Sequence, residues 1–123
     1  MTFHLLRRLF CLLLALTLLS AGAASVTPQL AGGADHSLAL RSDGQVFAWG
    51  DDGSGQLGSA RLLFRNTPQR VAWPDAANVT QLAAGTYHSL ALTRDGSLLS
   101  WGNNAYGELG DGSLTSHGVP LKV

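Results

Sequence analysis

An all-β fold built from two copies of one supersecondary unit is what this sequence predicts, on three observations. Residues 30–58 and 82–110 are nearly the same passage and superpose at a constant offset of 52 residues without a gap. From Val26 onward, short apolar runs are separated by turn residues, the punctuation of strands. Within those runs, large side chains fall on one face and small ones on the other. A fixed period of 20 to about 50 residues marks solenoids, propellers and arrays, whose units cannot bury their own faces alone. The fold is therefore expected to be a property of the stack.

The chain opens with a segment set apart from the repeats. Arg7 and Arg8 supply a positive start, residues 9–19 an apolar run, and Ala21-Gly22-Ala23-Ala24 a small-residue cleavage zone. The run is shorter than the roughly 20 apolar residues of a spanning helix. Residues 1–24 are therefore expected to be a cleaved signal peptide, giving a secreted or periplasmic protein with no stable membrane insertion after cleavage. Cys11, the one cysteine, lies inside this segment. Its loss would leave no disulfide, no thiolate and no cysteine-ligated metal. The remainder carries Arg41, Arg61, Arg65, Arg70, Arg94 and Lys122 against Asp35, Asp43, Asp51, Asp52, Asp75, Asp95, Glu108 and Asp111. That mildly acidic balance lacks the basic footprint of phosphate-backbone binding, so nucleic acid is not an expected partner.

The first repeat, with its linker, is placed at 25–77 and the second at 78–123. Each is expected to hold four short antiparallel strands. The first strand is clearer as Val79-Thr80-Gln81-Leu82 than as Pro28-Gln29-Leu30. In the second, His36, Leu38 and Leu40 share one face, with Ser37 and Ala39 on the other; His88, Leu90 and Leu92 repeat this against Ser89 and Ala91. The third strands end at Trp49 and Trp101. Asp43-Gly44 and Asp95-Gly96 lie in the connecting turns, where glycine suits a type I turn closing in a G1 bulge. The fourth strands are expected to begin after Pro68 and Pro120, since a proline is tolerated at a strand start. Between the third and fourth strands lie glycine-rich loops with Gly50, Gly53, Gly55 and Gly58, then Gly102, Gly107, Gly110 and Gly112. They diverge most at Arg61-Leu62-Leu63-Phe64-Arg65-Asn66 against Ser113-Leu114-Thr115-Ser116-His117-Gly118, and loops of this kind are where a scaffold carries specificity.

The run G-x-x-H-S-L-A-L-x-x-D-G, then W-G, then G-(Q/E)-L-G and P-x-x-V, resembles the repeat of the regulator of chromosome condensation (RCC1-like) family, a seven-bladed β-propeller. The likeness covers residues 29–123 and fits the second copy best. The first copy departs from it, with Asp51-Asp52 where asparagines are expected and Ser59-Ala60 in place of Asp-Gly. The resemblance implies two blades of an RCC1-type propeller, an incomplete ring. It also makes Gly33, His36, Asp43, Gly44, Trp49, Gly50 and Gly58 framework positions, together with Gly85, His88, Asp95, Gly96, Trp101, Gly102 and Gly110. For function it implies little, because one fold hosts many activities.

Chemistry is sought at several places and no constellation emerges. His beside Ser is not a triad, which needs an orienting acid and an oxyanion hole; both histidines are expected as buried rings bonded to a neighbouring loop. Asp51-Asp52-Gly53-Ser54-Gly55 lacks the glycine at the sixth position and the glutamate at the twelfth of an EF-hand. The glycine loops lack the lysine and following helix of a phosphate cradle. The expected protein is a non-catalytic scaffold without metal or cofactor, binding a protein partner through Phe64, Arg65, Trp73 and Tyr106. Trp73 has no counterpart in the second copy and is also expected to pack beneath the next blade. The alternatives are an oligomeric sugar-binding propeller and, further off, guanine-nucleotide exchange on a small GTPase, the family's founding activity. Two blades would expose two sheet faces. The ring is therefore expected to close through further repeats of a longer chain, or through self-association.

Overall fold

A computed structural model describes residues 25–73 and 78–123. The expected targeting segment and linker residues 74–77 lie outside the described residues. Eight strands follow in order: β1 (Gln29–Gly32), β2 (His36–Leu40), β3 (Val46–Gly50), β4 (Arg65–Arg70), β5 (Val79–Ala84), β6 (His88–Thr93), β7 (Leu98–Gly102) and β8 (His117–Lys122). They form two four-stranded antiparallel sheets, β1-β2-β3-β4 and β5-β6-β7-β8, which are the two expected blades.

The hairpins at the centre of each blade follow from the turn residues. Gly44 N–H donates to Arg41 O and Arg41 N–H to Gln45 O, each at 2.9 Å, and Gly96, Thr93 and Ser97 repeat the pattern. Gly44 and Gly96 sit at φ +81° and +83°, where a side chain would be strained. Asp43 and Asp95 cap the same turns, each accepting from the backbone N–H two residues on, that of Gln45 or Ser97. Thr93 Oγ1 is the leading cause that holds the Asp95 carboxyl down at about 2, and the Ser97 amide adds to it.

The fourth strands differ from expectation. β4 and β8 begin three residues before Pro68 and Pro120 and contain them. Both are outer strands, and the β3–β4 register slips between Ala48 and Gly50, so that Trp49 faces a bulged stretch holding Pro68. A proline there gives up no ladder hydrogen bond.

The blades stack large face on small face. Leu38, Leu40, Val46 and Ala48 of the first sheet are fully buried against Ala91, Leu99 and Trp101 of the second, with Leu57, Val71 and Val79 filling the margins. Alternation explains this: cross-strand partners Leu38↔Ala48 and Leu40↔Val46 point one way, while Ser89↔Trp101 and Ala91↔Leu99 point back at them. Each fully buried Leu or Val there contributes about 1.5–3 kcal/mol. The opposite faces, Ser37, Ala39, Phe47 and Trp49 on one blade and His88, Leu90 and Leu92 on the other, are only half-buried. The β1–β2 turn and the β3–β4 loop meet at one end of the blade, because His36 pairs with Gly50. That end, with its equivalent in the second blade, forms a single loop rim.

Candidate functional site

Two regions carry the molecule's polar detail: the seam between the blades and the loop rim. In the seam, His36 Nε2 lies 3.0 Å from Ser89 Oγ, and Ser89 Oγ donates to Gln56 O at 2.9 Å. Trp101 Nε1 donates to the same carbonyl at 2.8 Å. Because the serine proton is committed to Gln56, the histidine must donate through Nε2, leaving Nδ1 as an unpaired lone pair among the described residues. Burial, and secondly the His88 ring, hold the His36 pKa below its ordinary 6.5, against the opposing pull of Asp51, Asp52 and Asp35. The expected partner of this ring was a loop; it is a strand serine that relays to the loop. Gln29 adds a two-way clamp, donating to Thr80 O at 2.9 Å and accepting from Leu82 N–H at 3.1 Å.

Glycine makes this close approach possible. A Cβ on Gly33 would stand 2.1 Å from the His36 ring, and one on Gly85 1.9 Å from His88. A Cβ on Gly58 would stand 2.9 Å from Val71 of its own blade and 3.1 Å from Trp101 across the seam. Gly50 and Gly102 hold φ +108° and +106°, and an added Cβ would strike the carbonyls of Asp35 and Tyr87. Gly110 takes the same φ as Gly58, +68°.

The rim loops are held from within by one side chain each. Asn104 Oδ1 accepts from Leu109 N–H at 2.9 Å, while its Nδ2 donates to Asp111 Oδ1 and to the carbonyls of Ser113 and Thr115. Asp52 occupies the equivalent place in the first loop. Its Oδ1 accepts from Leu57 N–H at 2.9 Å and its Oδ2 from Ser59 Oγ at 2.7 Å. Ser59 is the counterpart of Asp111, so the departures from the repeat pattern compensate one another. An Asn donor with an Asp acceptor has become an Asp acceptor with a Ser donor. In the second loop the Asp111 carboxyl is held down at about 2, chiefly by the Ser113 amide and hydroxyl, and it also pairs with His117 at 3.0 Å. In the first loop Ala60 and Leu62 take φ +58° and +50°; Ala60 stands where the second copy has Gly112.

The expected contact residues divide between these regions. Phe64 and Tyr106 are exposed, and both belong to the loops of the rim. Arg65 opens β4 half-buried, with its Nε unpartnered among the described residues. Trp73 is half-buried in the inter-blade core, edge-on to Trp101 at 5.5 Å and 89°. Sequence reasoning missed Tyr87, which is exposed on the rim; Leu62, Leu63 and Leu114, also exposed there, lie in the divergent loops expected to carry specificity. It also missed the Gln29 clamp, whose signal was available: Gln81 stands at the same repeat position. Among the described residues no group of three or more His, Cys, Asp or Glu could hold a metal ion, and no helix is long and apolar enough to cross a membrane.

Comparison with known proteins agrees with this architecture. The pattern described as the regulator of chromosome condensation (RCC1) repeat matches residues 43–92 and 95–123, and a second pattern of the same description matches 29–56 and 79–108. The chain is 38% identical over 91 residues to the mitochondrial RCC1 domain-containing protein RUG3 of Arabidopsis thaliana; the match covers 74% of this chain and 20% of that protein. Among solved structures it superposes on human WBSCR16 with a TM-score of 0.71 at 31% identity, covering 80% of this chain and 25% of the other. It superposes on Prp20p of Saccharomyces cerevisiae, studied for its binding to Gsp1p and histones, with a TM-score of 0.61 at 35% identity, covering 77% and 23%. The chain thus spans about a fifth to a quarter of the length of these relatives.

Proposed function

The chain belongs to the regulator of chromosome condensation (RCC1) repeat family, and from that premise we propose that it is an exported, non-catalytic scaffold that holds a protein partner against its loop rim. The observation that carries this reading is the rim itself. It presents Phe64, Tyr87 and Tyr106 with Leu62, Leu63 and Leu114, all exposed, on loops anchored by buried Asp52 and Asn104. Rigid aromatic anchors on a fixed scaffold are what protein interfaces are built from. A relative studied for its binding to proteins, Prp20p, supports the class of partner. Export rests on the basic, apolar and small-residue succession of residues 1–24.

The test is affinity capture from the native host with the wild-type chain and with a Phe64→Ser, Tyr87→Ser, Tyr106→Ser variant. Strand content would be checked by circular dichroism. The proposal expects one protein retained by the wild type and lost by the folded variant, and a mature N-terminus close to Ser25. A partner retained equally by both, or substrate turnover by the purified chain, would overturn the binding reading. A mature protein beginning at Met1 would overturn export.

A further inference from the structure

Backbone angle, apolar exposure and charge single out the same stretch of the rim, Ala60 to Arg65 in the β3–β4 loop. Ala60 and Leu62 are the two non-glycine residues with positive φ among the described residues, at +58° and +50°. A side chain in that region crowds its own backbone, so each angle costs folding free energy that its surroundings must offset. The second copy turns the same corner with Gly112 at φ +78° and with Leu114 at negative φ. The strain is thus not demanded by the repeat; it belongs to this loop.

Contact with the second blade holds the loop in place. Ala60 N–H donates to Gly118 O at 2.9 Å, and a Cβ on Gly118 would stand 3.5 Å from Ala60 Cα and 3.7 Å from Leu62 Cδ2. With that neighbour present, Leu62, Leu63 and Phe64 are still 56%, 57% and 68% exposed. By the repeat, a blade on the other side brings its loop against Asn66, the counterpart of Gly118, and not against the triplet. Arg61 and Arg65 flank the triplet, and neither forms an ion pair among the described residues. Arg65 Nε is shielded from solvent and without an acceptor there. Asp35, Asp51, Glu108 and Asp111 lie on the remaining rim loops, so the positive charge of the rim is gathered around its apolar triplet.

We propose that residues 60–65 are a preorganised finger that inserts Leu62, Leu63 and Phe64 into an apolar cleft of the protein partner, bordered by carboxylates that pair with Arg61 and Arg65. The assignment rests on the reading of the rim as a protein-binding surface and gives that surface its anchor. A loop already held in its bound shape loses little freedom on docking, which is what the strained angles secure. Buried apolar anchors supply affinity, and guanidinium forks match carboxylates. A flat anionic lipid surface would meet Asp35, Asp51, Glu108 and Asp111 as well as the finger, whereas a cleft meets the finger alone.

The test puts a photoreactive phenylalanine derivative in place of Leu63, and separately of Tyr106, in the full chain, irradiated in extract of the native host. Cross-linked peptides are read by mass spectrometry. The Leu63 probe is expected to join a peptide in which apolar residues are accompanied by Asp or Glu, within the protein that the wild-type chain retains. Arg61→Glu, at an exposed position, is expected to weaken capture of that protein by about tenfold. Ala60→Gly is expected to weaken it by about two- to fivefold while raising the thermal midpoint, a combination that loss of folding does not produce. Undiminished capture by Arg61→Glu and by a Leu62→Ser, Leu63→Ser, Phe64→Ser variant, with cross-links from Tyr106 and none from Leu63, would overturn the finger and leave the rim reading standing. A wild-type chain that retains no protein would overturn both. Cosedimentation with phosphatidylserine vesicles that the triple variant loses, with no peptide joined at Leu63, would overturn the cleft in favour of a membrane.

Discussion

His36 is the residue whose chemistry most constrains the seam. It is 3% exposed and neutral, with its one ring proton given to Ser89. A second proton at Nδ1 would be a buried charge with no acceptor. The folded chain therefore resists a proton that the unfolded chain takes up near pH 6.5, so this contribution to stability is full above that pH and declines as pH falls through it. The expected slope is at most about 1.4 kcal/mol per pH unit. Denaturant midpoints measured between pH 8 and 5 should show it, and a His36→Asn variant should flatten it. Ala60 is the second residue-scale case. Its φ of +58° is one that glycine occupies in the other copy, so Ala60→Gly is expected to stabilise the fold by about 0.5–1 kcal/mol, read as a raised thermal midpoint. The sequence showed that Ala60 breaks the repeat pattern, but only the backbone angle shows what the break costs.

At the scale of the element, the strands were legible because alternation and turn chemistry agree. The face shared by His36, Leu38 and Leu40, and the turns at Gly44 and Gly96, were readable from residue spacing alone. The fourth strands were placed too late. A proline inside a strand reads as a boundary until the outer position and the bulge opposite Trp49 are known. The rim loops were legible as divergent, while their logic was not: Asp52 with Ser59 does the work of Asn104 with Asp111, and hydrogen-bond direction is invisible in residue order. A double-mutant cycle checks it. Asp52→Asn and Ser59→Asp are each expected to destabilise by about 1–2 kcal/mol, and the double variant, which recreates the second loop's pair, to recover most of the loss. Additive losses would refute the exchange.

For the whole molecule, what a residue contributes depends on its blade's place in the stack more than on its place in the repeat. The buried roles of His36 and Trp101 and the half-open setting of His88 and Trp49 are assigned to identical sequence words. No reading of the repeat alone separates them, because the difference lies in which neighbour covers which face. The most direct measurement of this account is therefore the stability of Trp101→Ala beside Trp49→Ala in this chain, taken by thermal unfolding in dilute solution. Trp101→Ala is expected to cost about 3–5 kcal/mol, having lost a fully buried ring and its bond to Gln56. Trp49→Ala is expected to cost about 1 kcal/mol or less, since its ring is only half-buried. Equal losses for the two tryptophans in dilute solution would contradict the account.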